Sequence, residues 1–227
     1  EALLPFARDA VLAAEAFNEA ASSQGAALSG TMRLGIIPTI APYILPDLLS
    51  MLAEAYPDLQ PRFVEEQTQH LITRLRNGNL DLAIMALPSE ATGMVDSPLY
   101  TEKFSIVCPP DHPIAGREDV ELAELKDLDL LLLDDGHCLR DQVVDLCRHA
   151  NINPAEATNS VTRASSLTTI MQLVMGGLGC TLVPESALAT ECHGKDVTIA
   201  HFASDVTAER EVGLVFRSSA ARSEEFR

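Results

Sequence analysis

The feature that most constrains the fold is an alternation of short apolar runs with longer amphipathic runs. Apolar residues in the longer runs recur at helical spacing, and Pro57 and the Asn77-Gly78 pair stop two of them. Strands that alternate with helices pair in parallel, because each helix carries the chain back to the same edge of the sheet. We therefore predict a parallel sheet in a first lobe, with strands over 33–37, 62–65 and 80–85 and helices over 42–56 and 68–76.

The pattern continues after residue 100 and predicts a second set of elements. The predicted strands are 104–108, 128–133, 159–162, 180–183, 197–202 and 211–216, and the predicted helices are 138–150 and 167–175. This order of elements indicates two α/β lobes joined by crossing strands.

The first 24 residues are rich in alanine, and apolar residues recur there at spacings of three and four, as along one seam of a helix. A connector or dimerisation helix is favoured over a helix that packs on its own domain. The start of the chain lacks the basic and apolar regions of a signal peptide, and no apolar run reaches the roughly 20 residues that span a bilayer. We expect a cytoplasmic protein without a membrane contact.

The net charge is −17, with a pI of about 4.6, and such a surface repels phosphate backbones. This chain is therefore not expected to bind nucleic acid by itself. Solubility alone is the simplest explanation of the charge.

The five cysteines are odd in number and form no CxxC pair, so a structural zinc site is not expected. Nothing in the sequence indicates another metal or an organic cofactor. Cys108 and Cys180 lie in apolar strands and are interpreted as small buried residues, whereas Cys192 lies in a polar stretch and is expected to be exposed.

Several motifs resemble the effector domain of LysR-type transcription regulators. They are the 32–39 stretch MRLGIIPT followed by PYILP at 42–46, the strand LDLAI at 80–84, and the stretch 165–184 with Gly-Gly-Leu-Gly at 176–179. The resemblance covers essentially the whole chain. It implies a two-lobed type-2 periplasmic-binding-protein-like α/β fold preceded by a linker helix. Residues 1–27 would be the linker or dimerisation helix, 28–100 with 207–227 lobe I, and 101–206 lobe II, with the DNA-binding winged helix-turn-helix absent from this chain.

The run Asp-Gly-His-Cys-Leu-Arg-Asp-Gln at 135–142, with a second cysteine at 147, is similar to the redox segment of the OxyR subfamily. The resemblance implies that Cys138 is the thiol oxidised by hydrogen peroxide and that Cys147 is its disulfide partner. A cysteine at a helix N-terminus gains from the dipole and the free N–H groups there. His137 and Arg140 are expected to favour the thiolate, and the three neighbouring aspartates to oppose it.

The same resemblance predicts that peroxide is bound or activated by Thr39, Thr68, His137 and Arg210. Hydroxyl groups both donate and accept hydrogen bonds, as a small neutral ligand requires. Helix capping is the alternative for the two threonines. For Arg210 the alternative is a charged residue at a strand edge.

The two redox cysteines are too far apart in an intact helix to join. Nine residues of helix rise by about 13.5 Å and turn to the opposite face, whereas a disulfide needs Cα atoms roughly 4.4–6.8 Å apart. The 138–147 segment must therefore unwind, and we expect this to remodel a dimer or tetramer and so control oxidative-stress genes. The implied partners are promoter DNA through the missing domain, a second copy of the chain, and reductants of the thioredoxin or glutaredoxin type.

Three alternatives remain open at this stage. The cleft of a LysR-type domain could sense a small organic ligand, with a carboxylate held by the hydroxyls at 165, 166, 168 and 169, although helix capping is favoured for those residues. The chain could also be a thiol peroxidase, although a sensor rather than an enzyme is expected. A solute-binding protein of a transporter is disfavoured by the leading helix.

Overall fold

The computed structural model describes residues 28–154, 158–194, 196–220 and 226. The predicted linker helix over 1–27 lies outside them. The elements in chain order are β1 (Gly30–Ile36), α1 (Ala41–Ala55), β2 (Leu59–Glu65), α2 (Thr68–Arg76), β3 (Leu82–Leu87), β4 (Met94–Cys108), a 3-10 helix (Leu122–Asp127), β5 (Leu130–Leu133), α3 (Cys138–His149), β6 (Thr158–Ala164), α4 (Leu167–Met175), β7 (Thr181–Pro184), α5 (Glu185–Glu191), β8 (Thr198–Ala200) and β9 (Glu209–Arg217).

The chain divides into two compact units. Unit 1 holds the described residues up to Ile37, Ile44–Leu99 and those from Val212 onward, and unit 2 holds Pro38–Tyr43 and Tyr100–Glu211. This division differs from the predicted lobes at three places, because residues 38–43, residue 100 and residues 207–211 fall in unit 2. The lobes as functional domains stay a prediction.

Unit 1 contains the predicted parallel sheet, in which β1 pairs in parallel with both β2 and β3. Helix α2 packs closely on this sheet at Gly35. A Cβ atom there would lie 2.7 Å from the Leu71 side chain and 2.8 Å from that of Leu80. The glycine in the motif at 32–39 is therefore required by packing.

Unit 2 is built around a continuous apolar core. Strand β4 pairs antiparallel with β7 and with β8, and β5 pairs in parallel with β6. Helices α3 and α4 bury their apolar faces in this core, with α3 contributing Leu139, Val143, Leu146 and Cys147.

The predicted elements exist, but three features differ. Strand β4 begins at Met94 rather than at residue 104, and two short elements, the 3-10 helix and α5, were not predicted. The first part of β4 is half polar and contains Pro98, so it shows no strand alternation. Helix α5 has only seven residues and follows a strand directly, which leaves no helical period to detect.

Among the described residues, no helix is long and apolar enough to cross a membrane.

Candidate functional site

The N-terminus of α3 presents Cys138. Strand β5 ends at Leu133, and a turn through Gly136, whose φ of 94° suits glycine, leads into the helix. His137 is the N-cap, and Cys138 is the first helical residue and half-buried. The predicted position of the cysteine at a helix N-terminus is confirmed.

The charges around this helix start are largely paired with one another. Arg140 lies 3.0 Å from a carboxylate oxygen of Asp135 and 3.7 Å from one of Asp141, and Arg163 lies 2.9 Å from the other Asp135 oxygen. Arg140 therefore does not stand beside Cys138 as an unopposed cation. The aligned N–H groups of α3 are a local feature that favours a thiolate there.

His137 is neutral near neutral pH. It is 4% exposed, and its pKa is lowered because burial disfavours the charged imidazolium, although the Asp134 carboxylate partly opposes this. Its Nδ1 atom is buried and has no hydrogen-bond partner among the described residues. Any help that His137 gives to the thiolate therefore comes from hydrogen bonding rather than from positive charge.

Cys147 lies in the same helix on its buried face. It is 0% exposed, and burial raises the pKa of its thiol. Since α3 runs unbroken from Cys138 to His149, the two cysteines are separated by about 13.5 Å along the helix axis. The structure thus holds them apart, in agreement with the prediction that a disulfide requires unwinding.

Thr39 and Arg210 are brought together inside unit 2. Nη1 of Arg210 donates to the Thr39 hydroxyl at 3.1 Å, and Nη2 donates to the Thr39 backbone carbonyl at 2.9 Å. The two residues are each 2% exposed. The alternative of a strand-edge Arg210 is wrong, because the side chain is fully buried.

Glu102 completes this cluster, although no pattern in the sequence singles it out. Its Oε1 atom accepts from Nε of Arg210 at 2.8 Å, and its Oε2 atom accepts from the backbone N–H of Ser186 at 3.0 Å. The Tyr100 hydroxyl is buried nearby, and its pKa is raised first by burial and then by the Glu102 charge. Glu102 holds the guanidinium in one orientation, so that Nη1 reaches Thr39.

Thr68 is the first residue of α2, in unit 1. The N-cap is Gln67, whose side chain makes no capping hydrogen bond. The Thr68 hydroxyl is buried and has no hydrogen-bond partner among the described residues. The capping alternative for Thr68 is therefore wrong, and its hydroxyl is available to a ligand.

A family comparison decides what kind of domain carries these residues. The model of the LysR substrate binding domain matches residues 25–227. The chain belongs to this family. This match confirms the predicted α/β fold of a LysR-type effector domain.

Curated relatives carry names from peroxide regulation. A probable hydrogen peroxide-inducible genes activator of Mycobacterium leprae is 48% identical over 99% of this chain and 71% of the relative. The DNA-binding transcriptional dual regulator OxyR of Escherichia coli K12 is 37% identical over 95% of this chain and 69% of the relative.

Solved structures of the family agree with these names. A cysteine mutant of Corynebacterium glutamicum OxyR with bound H2O2 is 59% identical, with a TM-score of 0.89, over 100% of this chain and 70% of that one. The oxidized form of the same regulator is 60% identical, with a TM-score of 0.78, over 100% of this chain and 69% of that one.

Three of the four hydroxyls offered for a carboxylate ligand in a LysR domain, those of Ser166, Thr168 and Thr169, are hydrogen-bonded within the chain. Ser166 caps α4 by accepting from the backbone N–H of Thr169 at 3.2 Å, which confirms the favoured capping role. Thr168 donates to the buried carboxylate of Glu191 at 2.8 Å, as does the Tyr43 hydroxyl at 3.0 Å. That carboxylate would repel an anionic ligand at this helix end.

The remaining cysteines largely follow expectation. Cys108 and Cys180 are 0% exposed, as predicted, whereas Cys192 is half-buried at the C-cap of α5 rather than exposed. The described part of the chain holds no cluster of side chains suited to a metal ion.

Proposed function

We propose that this chain is the regulatory domain of a LysR-type transcription regulator that senses hydrogen peroxide through Cys138. The observation that carries the proposal is the first turn of α3, which presents a half-buried Cys138 while Cys147 lies buried in the same helix. Relatives named hydrogen peroxide-inducible genes activator and an H2O2-bound OxyR structure support this chemistry.

The proposed reaction has two steps. The Cys138 thiolate attacks one peroxide oxygen, the O–O bond breaks, and the other oxygen leaves as hydroxide and is protonated to water. The product is a sulfenic acid. The Cys147 thiol then attacks the Cys138 sulfur, which forms the disulfide and releases a second water.

Thr39 and Arg210 are proposed to bind and polarise the peroxide. The Thr39 oxygen accepts from Arg210 Nη1 and keeps its own O–H free to donate. Accepting from a guanidinium strengthens that O–H as a donor, because hydrogen bonds in a chain polarise one another. Stabilising the departing oxygen is an electrostatic task that such a preorganised donor performs.

Thr68 and His137 are proposed as further peroxide ligands. Each carries a buried polar atom without a partner among the described residues, Oγ1 and Nδ1 respectively. Buried polar groups are costly when they stay unpaired, so such atoms are suited to a polar ligand.

The disulfide is proposed to act as a switch because the native helix cannot contain it. Joining the two cysteines requires α3 to unwind and Cys147 to leave the core of unit 2. This remodelling would change the contacts of a dimer or tetramer and hence the spacing of DNA-binding domains at a promoter. In the cytoplasm, reductants of the thioredoxin or glutaredoxin type would reduce the disulfide and return the chain to its starting state.

Trapping the sulfenic acid tests the assignment of the two thiols. With Cys147→Ser, a peroxide pulse in the presence of dimedone should label Cys138 stoichiometrically, because no second thiol resolves the intermediate. Cys138→Ser should give no rapid labelling, and Cys192→Ser, the other half-buried cysteine, should react like the unmodified chain. Labelling that survives Cys138→Ser would refute the proposal.

The rate of that labelling tests the role of Thr39. Thr39→Val removes the hydroxyl at similar volume and should slow the reaction by about 10- to 100-fold, if it supplies one transition-state donor. Thr39→Ser keeps the hydroxyl and should stay close to the original rate. Equal labelling rates for the two variants would show that the Thr39 hydroxyl takes no part in the reaction.

A further inference from the structure

A second pair of cysteines faces across two neighbouring strands in the core of unit 2. Strands β4 and β7 are antiparallel, with Val107 opposite Thr181. Extending this register by one residue places Cys108, the last residue of β4, opposite Cys180, which immediately precedes β7. Residues directly opposite in a sheet point to the same face.

The backbone hydrogen bonds fix the kind of pair that these cysteines form. The Cys180 N–H donates to the Asp129 carbonyl at 2.9 Å, and the Leu131 N–H donates to the Cys180 carbonyl at 2.8 Å. The peptide groups of Cys180 therefore face β5 rather than β4. Cys108 and Cys180 are thus a non-hydrogen-bonded pair, in which antiparallel Cα atoms lie about 4.5 Å apart and side chains are closest.

That spacing suits a disulfide. Bridged cysteines have Cα atoms roughly 4.4–6.8 Å apart, so the sheet needs no unwinding to join this pair. Cys138 and Cys147 differ from this pair, because the intact helix α3 holds their Cα atoms much further apart than this range.

The surroundings explain why the pair is not the first to react with an oxidant. Both residues are 0% exposed. The pKa of Cys180 is raised to about 12, mainly by burial and further by the neighbouring Cys108, and burial also raises the pKa of Cys108. The Cys108 thiol donates to the Thr198 carbonyl, with 3.5 Å between sulfur and oxygen. Both groups remain thiols at neutral pH and meet oxidants only when the core opens.

We propose that Cys108 and Cys180 are a second modification site of this domain, a cross-strand dithiol that closes to a disulfide under prolonged oxidation. With hydrogen peroxide, one thiolate breaks the O–O bond and becomes a sulfenic acid, and the second thiol displaces water from it. Two thiols and one peroxide give one disulfide and two waters. With oxidised glutathione, thiol–disulfide exchange reaches the same bond and releases two glutathione thiols.

The test uses a variant in which these are the only two thiols. Replacing Cys138, Cys147 and Cys192 by Ser leaves two of the five cysteines. This variant is refolded in a buffer of reduced and oxidised glutathione, alkylated, and mapped by non-reducing peptide mass spectrometry. We expect one Cys108–Cys180 bridge per chain after refolding and far less bridge in the same buffer with 8 M urea (roughly tenfold, because only the native sheet aligns the pair).

The bridged form should also melt higher than the reduced form, by roughly 5–15 °C, since the bond closes a long loop in the unfolded chain. A folded variant that stays reduced, or that carries glutathione on each cysteine, would overturn the proposal. So would a bridge that lowers the melting temperature.

Two features of the design separate bridge formation from misfolding and from the proposed peroxide chemistry. Cys108→Ala and Cys180→Ala, each in the unmodified background, show by circular dichroism whether the core tolerates the loss of either thiol. Because glutathione drives the test, its outcome does not depend on whether Cys138 reacts with peroxide.

Discussion

At the scale of single residues, the buried charges of Arg210 and Glu102 define the candidate site. Their side chains are 0% and 5% exposed and lie 2.7 Å apart. Desolvating two such charges costs several kcal/mol each, so the pair is an expensive way to stabilise a core. Its use here is positional, because it aims a fixed donor at the Thr39 hydroxyl.

Replacing Glu102 by Gln should destabilise the chain by about 3–5 kcal/mol, because the Arg210 charge would stay buried without a counter-charge. Urea unfolding followed by circular dichroism measures this. The double variant Glu102→Leu with Arg210→Met should recover much of the stability, since no unpaired charge remains. A single variant within about 0.5 kcal/mol of the original protein, the ordinary range for surface substitutions, would contradict the buried pair.

His137 should make stability depend on pH. Its pKa in the folded chain lies below the usual value of 6.5, so protons favour the unfolded state as the pH falls. Stability from this residue is fully present above about pH 6.5 and is lost as the pH falls through the lower folded pKa.

Urea unfolding at pH 7.5 and 5.5 tests this dependence. The loss of stability between the two pH values should shrink in His137→Gln. It should not shrink in His149→Gln, which changes an exposed histidine at the other end of α3. An unchanged loss in His137→Gln would show that the residue is not responsible.

At the scale of elements, α3 is the part of the chain that must change. Its first turn holds Cys138, the proposed reactive thiol, and Cys147, the proposed second thiol, lies nine positions later on its buried face. Through that apolar face the helix packs against β5 and the 3-10 helix. Resolution of the sulfenic acid should therefore be limited by unwinding, while formation of the sulfenic acid should not.

Exposed Asp145 in the middle of α3 offers a matched pair of variants. Asp145→Gly and Asp145→Ala both remove the ion pair with Arg148, but glycine lowers helix stability by roughly 1 kcal/mol relative to alanine. The disulfide should then form up to about fivefold faster in the glycine variant. Stopped-flow thiol trapping measures both steps.

Equal rates of disulfide formation in the two variants would contradict an unwinding-limited step. A difference that appears already in sulfenic acid formation would place the effect at the first thiol instead.

The elements also show how far the sequence predicts this fold. Helix α2 was predicted with its observed bounds because Asn77 and Gly78 mark its end locally. Strand β4 was predicted only from 104 onward, because its earlier half is a strand through pairing within the sheet, which no local pattern records. Propensity is overridden there by tertiary context.

In the candidate site, too, some features can be predicted from the sequence and others cannot. Cys138 at a helix start follows from the apolar strand and glycine turn before it, so the sequence alone places it. Glu102 lies 108 positions before Arg210 and has no neighbouring motif, so only the structure reveals the ion pair. The paired state of Arg140 and the neutrality of His137 likewise depend on distances and burial.

At the scale of the whole molecule, each compact unit has a distinct part in the proposal. Unit 2 carries the two proposed redox cysteines together with Thr39 and Arg210, and unit 1 carries Thr68. The net charge of −17 disfavours direct contact of this chain with DNA, so in the proposed mechanism the signal passes through protein contacts.

If α3 remodels subunit contacts, then oxidation should change the assembly. Sedimentation velocity and small-angle scattering of the peroxide-treated chain should differ from those of the reduced chain. Cys147→Ser treated in the same way should resemble the reduced form, because it cannot form the disulfide. Identical profiles for reduced and oxidised chain would argue against a switch at the interface.

In the proposed mechanism, Cys138 reacts first with peroxide and its sulfenic acid is resolved by Cys147. Non-reducing peptide mass spectrometry after a brief, near-stoichiometric peroxide pulse tests it most directly. We expect a dominant Cys138–Cys147 bridge that disappears in Cys138→Ser, with Cys108 and Cys180 still reduced. A Cys138 that stays reduced while other thiols oxidise at random would contradict it.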